Sequence, residues 1–345
     1  MKRKRVGVAM SGGVDSTACA LILKADCEVR GFFMELAQPD IARQKELAQE
    51  RADRIGIHLD IIDLKRQFKD KVLSYFSGRY FAGLTPNPCM VCNGEIKFGL
   101  FMEAMLAADM DLVATGHYAR VHEDCGRYRL LAGTDRKKDQ SYFLARLNQQ
   151  QLSRVLFPLG AMRKEETYLL MERHGFADFR RQESQDICFL GRESAGDYLA
   201  RLLPEKTVPG PVMTRDGRQI GTHRGLFRYT IGQRRGLGLP DATPWYVLAV
   251  EAEGNRIIVG KEDDLYSGRI RIGNLHWTAG RPAAEEIEYT VRIRYSHRGA
   301  TAVLRRLDQD CYELAFAERQ RAVTPGQFAV IYTGDEVVGA GEILR

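Results

Sequence analysis

The residues best suited to chemistry are the string Ser11-Gly12-Gly13-Val14-Asp15-Ser16 and three cysteines, Cys89, Cys92 and Cys188. Two adjacent glycines let backbone N–H groups approach an anion where a Cβ would collide. An apolar run, Val6-Gly7-Val8-Ala9-Met10, precedes them, and a helix is expected from Thr17 to Lys24. Strand, glycine turn and helix start together make a phosphate cradle, with the helix dipole favouring negative charge. Ser11, Ser16 and Thr17 offer hydroxyl donors. No Gly-Lys-Ser/Thr closes the loop, so it is not a Walker A motif. Asp15 stands there instead, and a carboxylate beside phosphate suits a divalent metal between the two. A bare Gly-Gly turn would read as an ordinary strand-to-helix connection.

The full S-G-G-V-D-S string resembles the pyrophosphate loop of the N-type ATP pyrophosphatases. That resemblance implies cleavage of ATP to AMP and pyrophosphate, with AMP passed to a substrate oxygen. ATP would lie against Ala9, Met10, Ser11, Gly12, Gly13, Val14, Asp15, Ser16, Met34 and Gly116, with Mg2+ as its counter-ion. Met34 also reads as a core residue, and the family reading sets its backbone against adenine.

Cys89 and Cys92 form a C-x-x-C pair in a polar, proline-rich segment. A redox disulfide wants a helix starting at the first cysteine, and Pro88 argues against one there. A structural zinc wants a second Cys/His pair, and none is evident. Catalysis or an iron–sulfur cluster remains, and either can use the distant thiol of Cys188, 96 positions after Cys92. Three long strings then point to one family: Thr85-Pro86-Asn87-Pro88 with Cys92-Asn93; Ser184-Gln185-Asp186-Ile187-Cys188-Phe189; and the stretch from Gly225 to Leu237. Together they resemble the bacterial tRNA-specific 2-thiouridylases over nearly the whole chain.

That resemblance implies thiolation of carbon 2 of the wobble uridine in the tRNAs for lysine, glutamate and glutamine. Adenylation turns the uridine oxygen into a leaving group. Cys188 would carry a persulfide supplied by a cysteine desulfurase or relay protein. Cys92 would be the nucleophile that resolves it, leaving a Cys92–Cys188 disulfide to be reduced. Both thiols should then sit near positive charge or backbone donors. Many members have aspartate where this chain has Cys89, so any proton-transfer role of that aspartate does not carry over. Cys89, Cys92 and Cys188 as three thiolates would also suit a [4Fe–4S] cluster delivering sulfide, and both readings stay open. The same resemblance sets Asn87, Pro88 and Cys89 beside the flipped base, His117 near the tRNA, and Lys138, Asp139 and Gln140 on the anticodon arm. Arg294, Tyr295 and Gln327 match further tRNA-contact positions. Arg294 and Tyr295 also read as outward residues of a strand, and Arg234-Arg235, a basic spot between glycines, reads as a contact for RNA backbone or as a solvated turn.

The elements that must position these groups follow an α/β pattern. Strands are expected at Val6–Met10, Cys27–Met34, Ile57–Ile62 and Leu112–His117, with helices at Asp40–Ile55, around Phe68–Phe76, at Glu95–Ala107 and at Lys164–His174. This predicts a parallel sheet covered on both faces. A hairpin is expected from Tyr118–Val121 and Arg127–Leu131, and an extended piece at Gln185–Phe189. Prolines 204, 209 and 211 mark a boundary. The expected domains are a catalytic domain at 1–203, a small mostly-β linker domain at 204–267, and a tRNA-binding β-barrel at 268–345.

With 345 residues and a net charge of +6, the chain can bury several cores and is mildly basic, which permits a nucleic-acid partner without requiring one. No stretch is long enough to span a membrane, and Lys2-Arg3-Lys4-Arg5 leads into an apolar run too short for a signal peptide. Seven cysteines without a secretory segment suggest a reducing, cytoplasmic setting. A monomer is expected. Two rival functions share the glycine loop. One is an amidotransferase-type or lysidine-type synthetase, which has no use for Cys92 and Cys188. The other is an RNA-binding nucleotide sensor, for which cysteine-to-serine changes would alter no chemistry.

Overall fold

The computed structural model describes residues 3–176, 187–239, 242–282 and 284–345. The first sheet is parallel. Its strands are β1 (Arg5–Ala9), β2 (Glu28–Glu35), β3 (Leu59–Asp63), β4 (Leu112–Ala114) and, later in the chain, β7 (Val155–Leu156), in the order β3-β2-β1-β4-β7. Helices cover both faces. α1 (Val14–Lys24), α2 (Ile41–Ile55) and, from further along, α8 (Lys164–Arg173) bury one face with Val6, Val8, Ala18, Ala52 and Met171. The other face holds Phe32, Phe68, Phe76, Phe101 and Val113 under α3 (Lys65–Phe68), α4 (Ser74–Phe81) and α6 (Met102–Ala107). Both faces being covered is why β1 reads as a continuous apolar run.

The proline-rich segment departs from expectation. Its backbone is not extended at Pro88: α5 (Pro88–Val91) starts there, and a π-helical stretch, Cys92–Phe101, continues directly into α6. Proline at the first helical position lacks only an N–H that has no partner there anyway. Asn87 caps the start, its Oδ1 accepting from Met90 N–H at 3.2 Å. The argument from Pro88 against a helix-borne cysteine pair therefore falls. β4 also stops at Ala114, and Thr115–His117 form a loop.

A hairpin, β5 (Ala119–Asp124) with β6 (Arg127–Ala132), and a short helix, α7 (Gln149–Leu152), precede β7. α9 (Ala195–Leu202) packs Tyr198 edge-on to Phe76, with ring centroids 6.2 Å apart. A small four-stranded sheet follows, ordered β10-β11-β8-β9, from β8 (Gly210–Thr214), β9 (Gln219–His223), β10 (Tyr246–Glu251) and β11 (Arg256–Gly260). The last strands are β12 (Tyr266–His276), β13 (Glu288–Arg292), β14 (Ala300–Arg306), β15 (Cys311–Arg321), β16 (Phe328–Thr333) and β17 (Glu336–Ile343). They close into an antiparallel barrel through β12–β17 pairing. The β5–β6 hairpin joins the barrel's sheet where Leu131 meets Glu336. Met90, Phe98, Tyr142, Phe328 and Tyr332 share one core, so the barrel is packed against the cysteine-bearing helix. Among the described residues, no helix is long and apolar enough to cross a membrane.

Candidate active site

The glycine loop is built to leave amides open. Gly12 takes φ +78°, and a Cβ there would lie 2.9 Å from the Ala48 nitrogen. Gly12→Ala is therefore expected to cost about 1–3 kcal/mol in chemical denaturation, because it adds both backbone strain and a collision. An unchanged midpoint would refute this. Gly13 caps α1, and the first-turn N–H groups of Val14, Asp15 and Ser16 have no intrahelical acceptor. The hydroxyls serve the loop itself rather than a ligand. Ser16 Oγ and Thr17 Oγ1 both donate to the Gly13 carbonyl, at 3.0 and 2.9 Å, and Thr17 is fully buried. Thr17 is thus not an anion donor.

Asp15 does not face bare solvent. Lys164 Nζ, from the start of α8, lies 2.7 Å from its Oδ1, and the Tyr118 hydroxyl donates to the same oxygen at 2.9 Å. Lys164 is 4 % exposed. Burial, and after it the Asp15 charge, pushes the Tyr118 hydroxyl pKa well up, so it stays a donor. Neither Lys164 nor Tyr118 carries a sequence signal linking it to the loop. Gly116 has one: a Cβ there would sit 2.6 Å from the Asp15 backbone carbon, so only glycine lets the β4 end approach α1.

One cleft of about 830 Å³ joins this loop to the thiols. Its lining includes Ser11, Gly13 and Asp15 together with Cys92, Lys97 and Cys188. Of the ten positions assigned to ATP, Ala9, Met10, Ser11, Gly13, Asp15, Ser16, Met34 and Gly116 line it. Gly12 turns against α2, and the Val14 side chain packs in the core.

Cys188 reaches the cleft because the chain turns. Leu190 N–H bonds to the Ile187 carbonyl at 3.0 Å, in place of the extended backbone expected there. Successive strand residues point to opposite faces. Here Phe189 and Leu190 are both buried, with Phe189 packed on Phe68 and Phe76 at 5.8 and 5.0 Å, and Cys188 is left facing outward. Ser184, Gln185 and Asp186 of its string lie outside the described residues.

Burial raises all three thiol pKa values: Cys89 to about 11, Cys92 to about 12, and Cys188 in the same direction. Cys188 is solvent-reachable though ringed by protein, so water in the cleft softens the effect for it. Lys97 opposes the rise at each thiol, and the backbone N–H groups of Cys188 and Phe189 do so at Cys188. The expected positive charge and backbone donors are thus present. Cys89 does not line the cleft. Among the described residues, no three Cys, His, Asp or Glu side chains converge on a single metal ion, although Cys188 acts electrostatically on both Cys89 and Cys92.

His117 lines the cleft, between Phe98 and Phe157. Lys97 Nζ donates to its Nε2 at 3.5 Å, so Nδ1 carries the proton and donates to Thr115 Oγ1 at 2.7 Å. Burial, reinforced by Lys97, holds the His117 pKa well below its ordinary value. The unfolded chain then binds a proton the fold refuses. Stability attributable to His117 is complete above about pH 6.5 and falls as pH drops below it. His117→Asn should flatten the fall in urea midpoint between pH 7 and 5. An undiminished slope would assign it elsewhere.

The chain matches three domain models in order. These are the tRNA methyl transferase HUP domain over residues 4–192, the tRNA methyl transferase PRC-barrel domain over 196–261 and the Aminomethyltransferase beta-barrel domain over 267–343. It is 46% identical over 344 residues to a protein of Desulfotalea psychrophila named tRNA-specific 2-thiouridylase MnmA, covering 100% of both chains. Proteins of the same name from Syntrophomonas wolfei and Ralstonia nicotianae are each 42% identical, with 98% and 99% of this chain and 99% and 96% of theirs covered. The chain belongs to the tRNA-specific 2-thiouridylase family.

The positions that the 2-thiouridylase resemblance assigns to RNA fall into two groups. His117 and Gln140 line the cleft, and Tyr295 is exposed, its ring against that of Phe143 with centroids 4.5 Å apart. The others hold scaffold. Asn87 caps α5, and Pro88 is buried behind it. Asp139 is 5 % exposed and pairs with Arg292 at 2.9 Å while accepting from Gly133 and Ser141 N–H. Gln327 Nε2 donates to the carbonyls of Thr85 and Pro86, tying the barrel to the segment that leads into α5. Arg294 donates to the Arg321 carbonyl, and it and Tyr295 lie in the turn after β13 rather than on a strand. Lys138 sits part-buried on the same loop as Asp139.

Proposed function

We propose that this protein catalyses ATP-dependent 2-thiolation of the wobble uridine in the tRNAs for lysine, glutamate and glutamine. The carrying observation is the single cleft lined by both the glycine loop and the Cys92–Cys188 pair. A lysidine-type or amidotransferase-type ligase has no use for two thiols facing its nucleotide loop. A nucleotide sensor has no use for them either.

In this reading the open amides of α1 hold the phosphates of ATP, and the buried Lys164 ammonium fixes the Asp15 carboxylate beside them. Asp15, a hard oxygen donor at the cleft wall, would hold a Mg2+ ion, which would supply positive charge against the phosphates. The uridine leaves its stack and enters between the loop and the thiols. Its C2 oxygen attacks the α-phosphorus, and pyrophosphate departs. The terminal sulfur of a Cys188 persulfide then attacks C2, and AMP leaves with the former carbonyl oxygen. Cys92 thiolate attacks Cys188 Sγ and breaks the S–S bond, so its electron pair remains on the sulfur now bound to C2. The product is 2-thiouridine plus a Cys92–Cys188 disulfide, which a thiol reductant reopens. A cysteine desulfurase or relay protein recharges Cys188.

Mass spectrometry of tRNA from cells lacking the protein tests this directly. Loss of wobble 2-thiouridine is expected, with restoration by the wild-type gene. Unchanged 2-thiouridine would overturn the reading.

A further inference from the structure

Lys97 belongs to no motif that pointed to the function. It lies in the π-helical stretch Cys92–Phe101, five residues after Cys92. In an α-helix a residue five further on sits about 140° round the axis, away from its partner. The i→i+5 ladder of a π-helix instead brings such residues nearly in line, and such segments recur at functional sites. The local winding therefore turns Lys97 and Cys92 into the same cleft, which both line together with Cys188.

The surroundings of Lys97 are short of negative charge. Among the described residues no carboxylate lies within ion-pair distance of its Nζ, and its one hydrogen-bond partner is neutral His117 Nε2 at 3.5 Å. The neighbouring acid on the same segment, Glu95, points elsewhere, pairing with Lys71 at 2.9 Å. A half-buried ammonium facing a cleft without a carboxylate partner is fitted for an anion that comes and goes. The cleft contains two groups able to become anionic, Cys92 and Cys188.

We infer that Lys97 is the positioning residue for the sulfur nucleophile: its ammonium, oriented by His117, holds the anionic sulfur of Cys188 or Cys92 in line with the base. This rests on the thiolation reading above. The direction of its effect on all three thiols agrees.

The test uses the full-length protein and three variants: Lys97→Met, Lys97→Arg and Cys92→Ser. Peptide mass spectrometry follows alkylation of Cys92 and Cys188 by neutral iodoacetamide and by anionic iodoacetate at one pH. Lys97→Met should slow iodoacetamide at these cysteines by roughly tenfold, and iodoacetate by more, since one local cation is removed. Lys97→Arg should restore most of both rates, and Cys125, which is exposed and remote from the cleft lining, should react alike in all variants. A purely structural role would alter both reagents equally and would spare neither Cys125 nor the melting temperature. Equal rates in wild type and Lys97→Met, or an unchanged reagent ratio, would overturn the inference. Absence of 2-thiouridine formation by the wild-type enzyme would instead overturn the function, because alkylation is read without turnover.

Discussion

Cys188→Ser protein is expected to make no 2-thiouridine above background, a loss of at least about 10³-fold, while still releasing pyrophosphate from ATP in the presence of unthiolated tRNA. The separation follows from the cleft. Cys188 lines the same cleft from a turn fixed by burial of Phe189 and Leu190, and takes no part in the loop's hydrogen bonds. Serine keeps the shape and loses the sulfur. Cys92→Ser should fail at a later point. It should lack the Cys92–Cys188 disulfide that wild type accumulates when reductant is withheld, as read by non-reducing peptide mass spectrometry. If Cys188→Ser thiolates normally, sulfur enters by another route and the relay is wrong. If it loses pyrophosphate release as well, the cysteine is part of the fold of the ATP site.

Lys164→Met is expected to lower kcat/KM for ATP by roughly 10²-fold or more, the order expected when a buried ion pair that fixes a site carboxylate loses one partner. Its ammonium is almost wholly buried and is held 2.7 and 2.9 Å from the two Asp15 oxygens, with the Tyr118 ring 5.6 Å away. Removing it leaves the Asp15 carboxylate, which lines the cleft, without its buried counter-charge. Lys164→Arg should recover only part, since the planar guanidinium does not match a site shaped for a point charge. The measurement is pyrophosphate release against ATP concentration, with the urea midpoint followed in parallel. An unchanged kcat/KM with a lowered midpoint would reduce the pair to a clamp between α1 and α8.

The sequence carried the catalytic loop and its strand–turn–helix setting, because these depend on neighbours in the chain. Gly12 needs φ > 0, β1 needs an apolar run, and α1 needs a start just after two glycines. The barrel was legible more coarsely, as short strands with frequent turns after about Gly268; β16 and β17 are buried almost throughout rather than alternating. Local reasoning failed where a local preference met a tertiary demand. Two prolines near Cys89 read as a break, yet Pro88 begins a helix because Asn87 caps it and the barrel's Gln327 holds the preceding carbonyls. Cys188 read as extended, yet two adjacent aromatic and aliphatic side chains had to go inward together.

By itself, the order of residues determined which chemistries were available: an anion-binding turn, two separated sulfurs, a parallel sheet and a closing barrel. Only the tertiary structure decided which charges attend them. Lys97 and Lys164 lie 67 positions apart, and neither shares a motif with the group it serves. Coulomb attraction depends on distance in space and on how much water is excluded, and neither quantity is written along the chain. Packing of α8 on α1, and the π-winding after Cys92, set both.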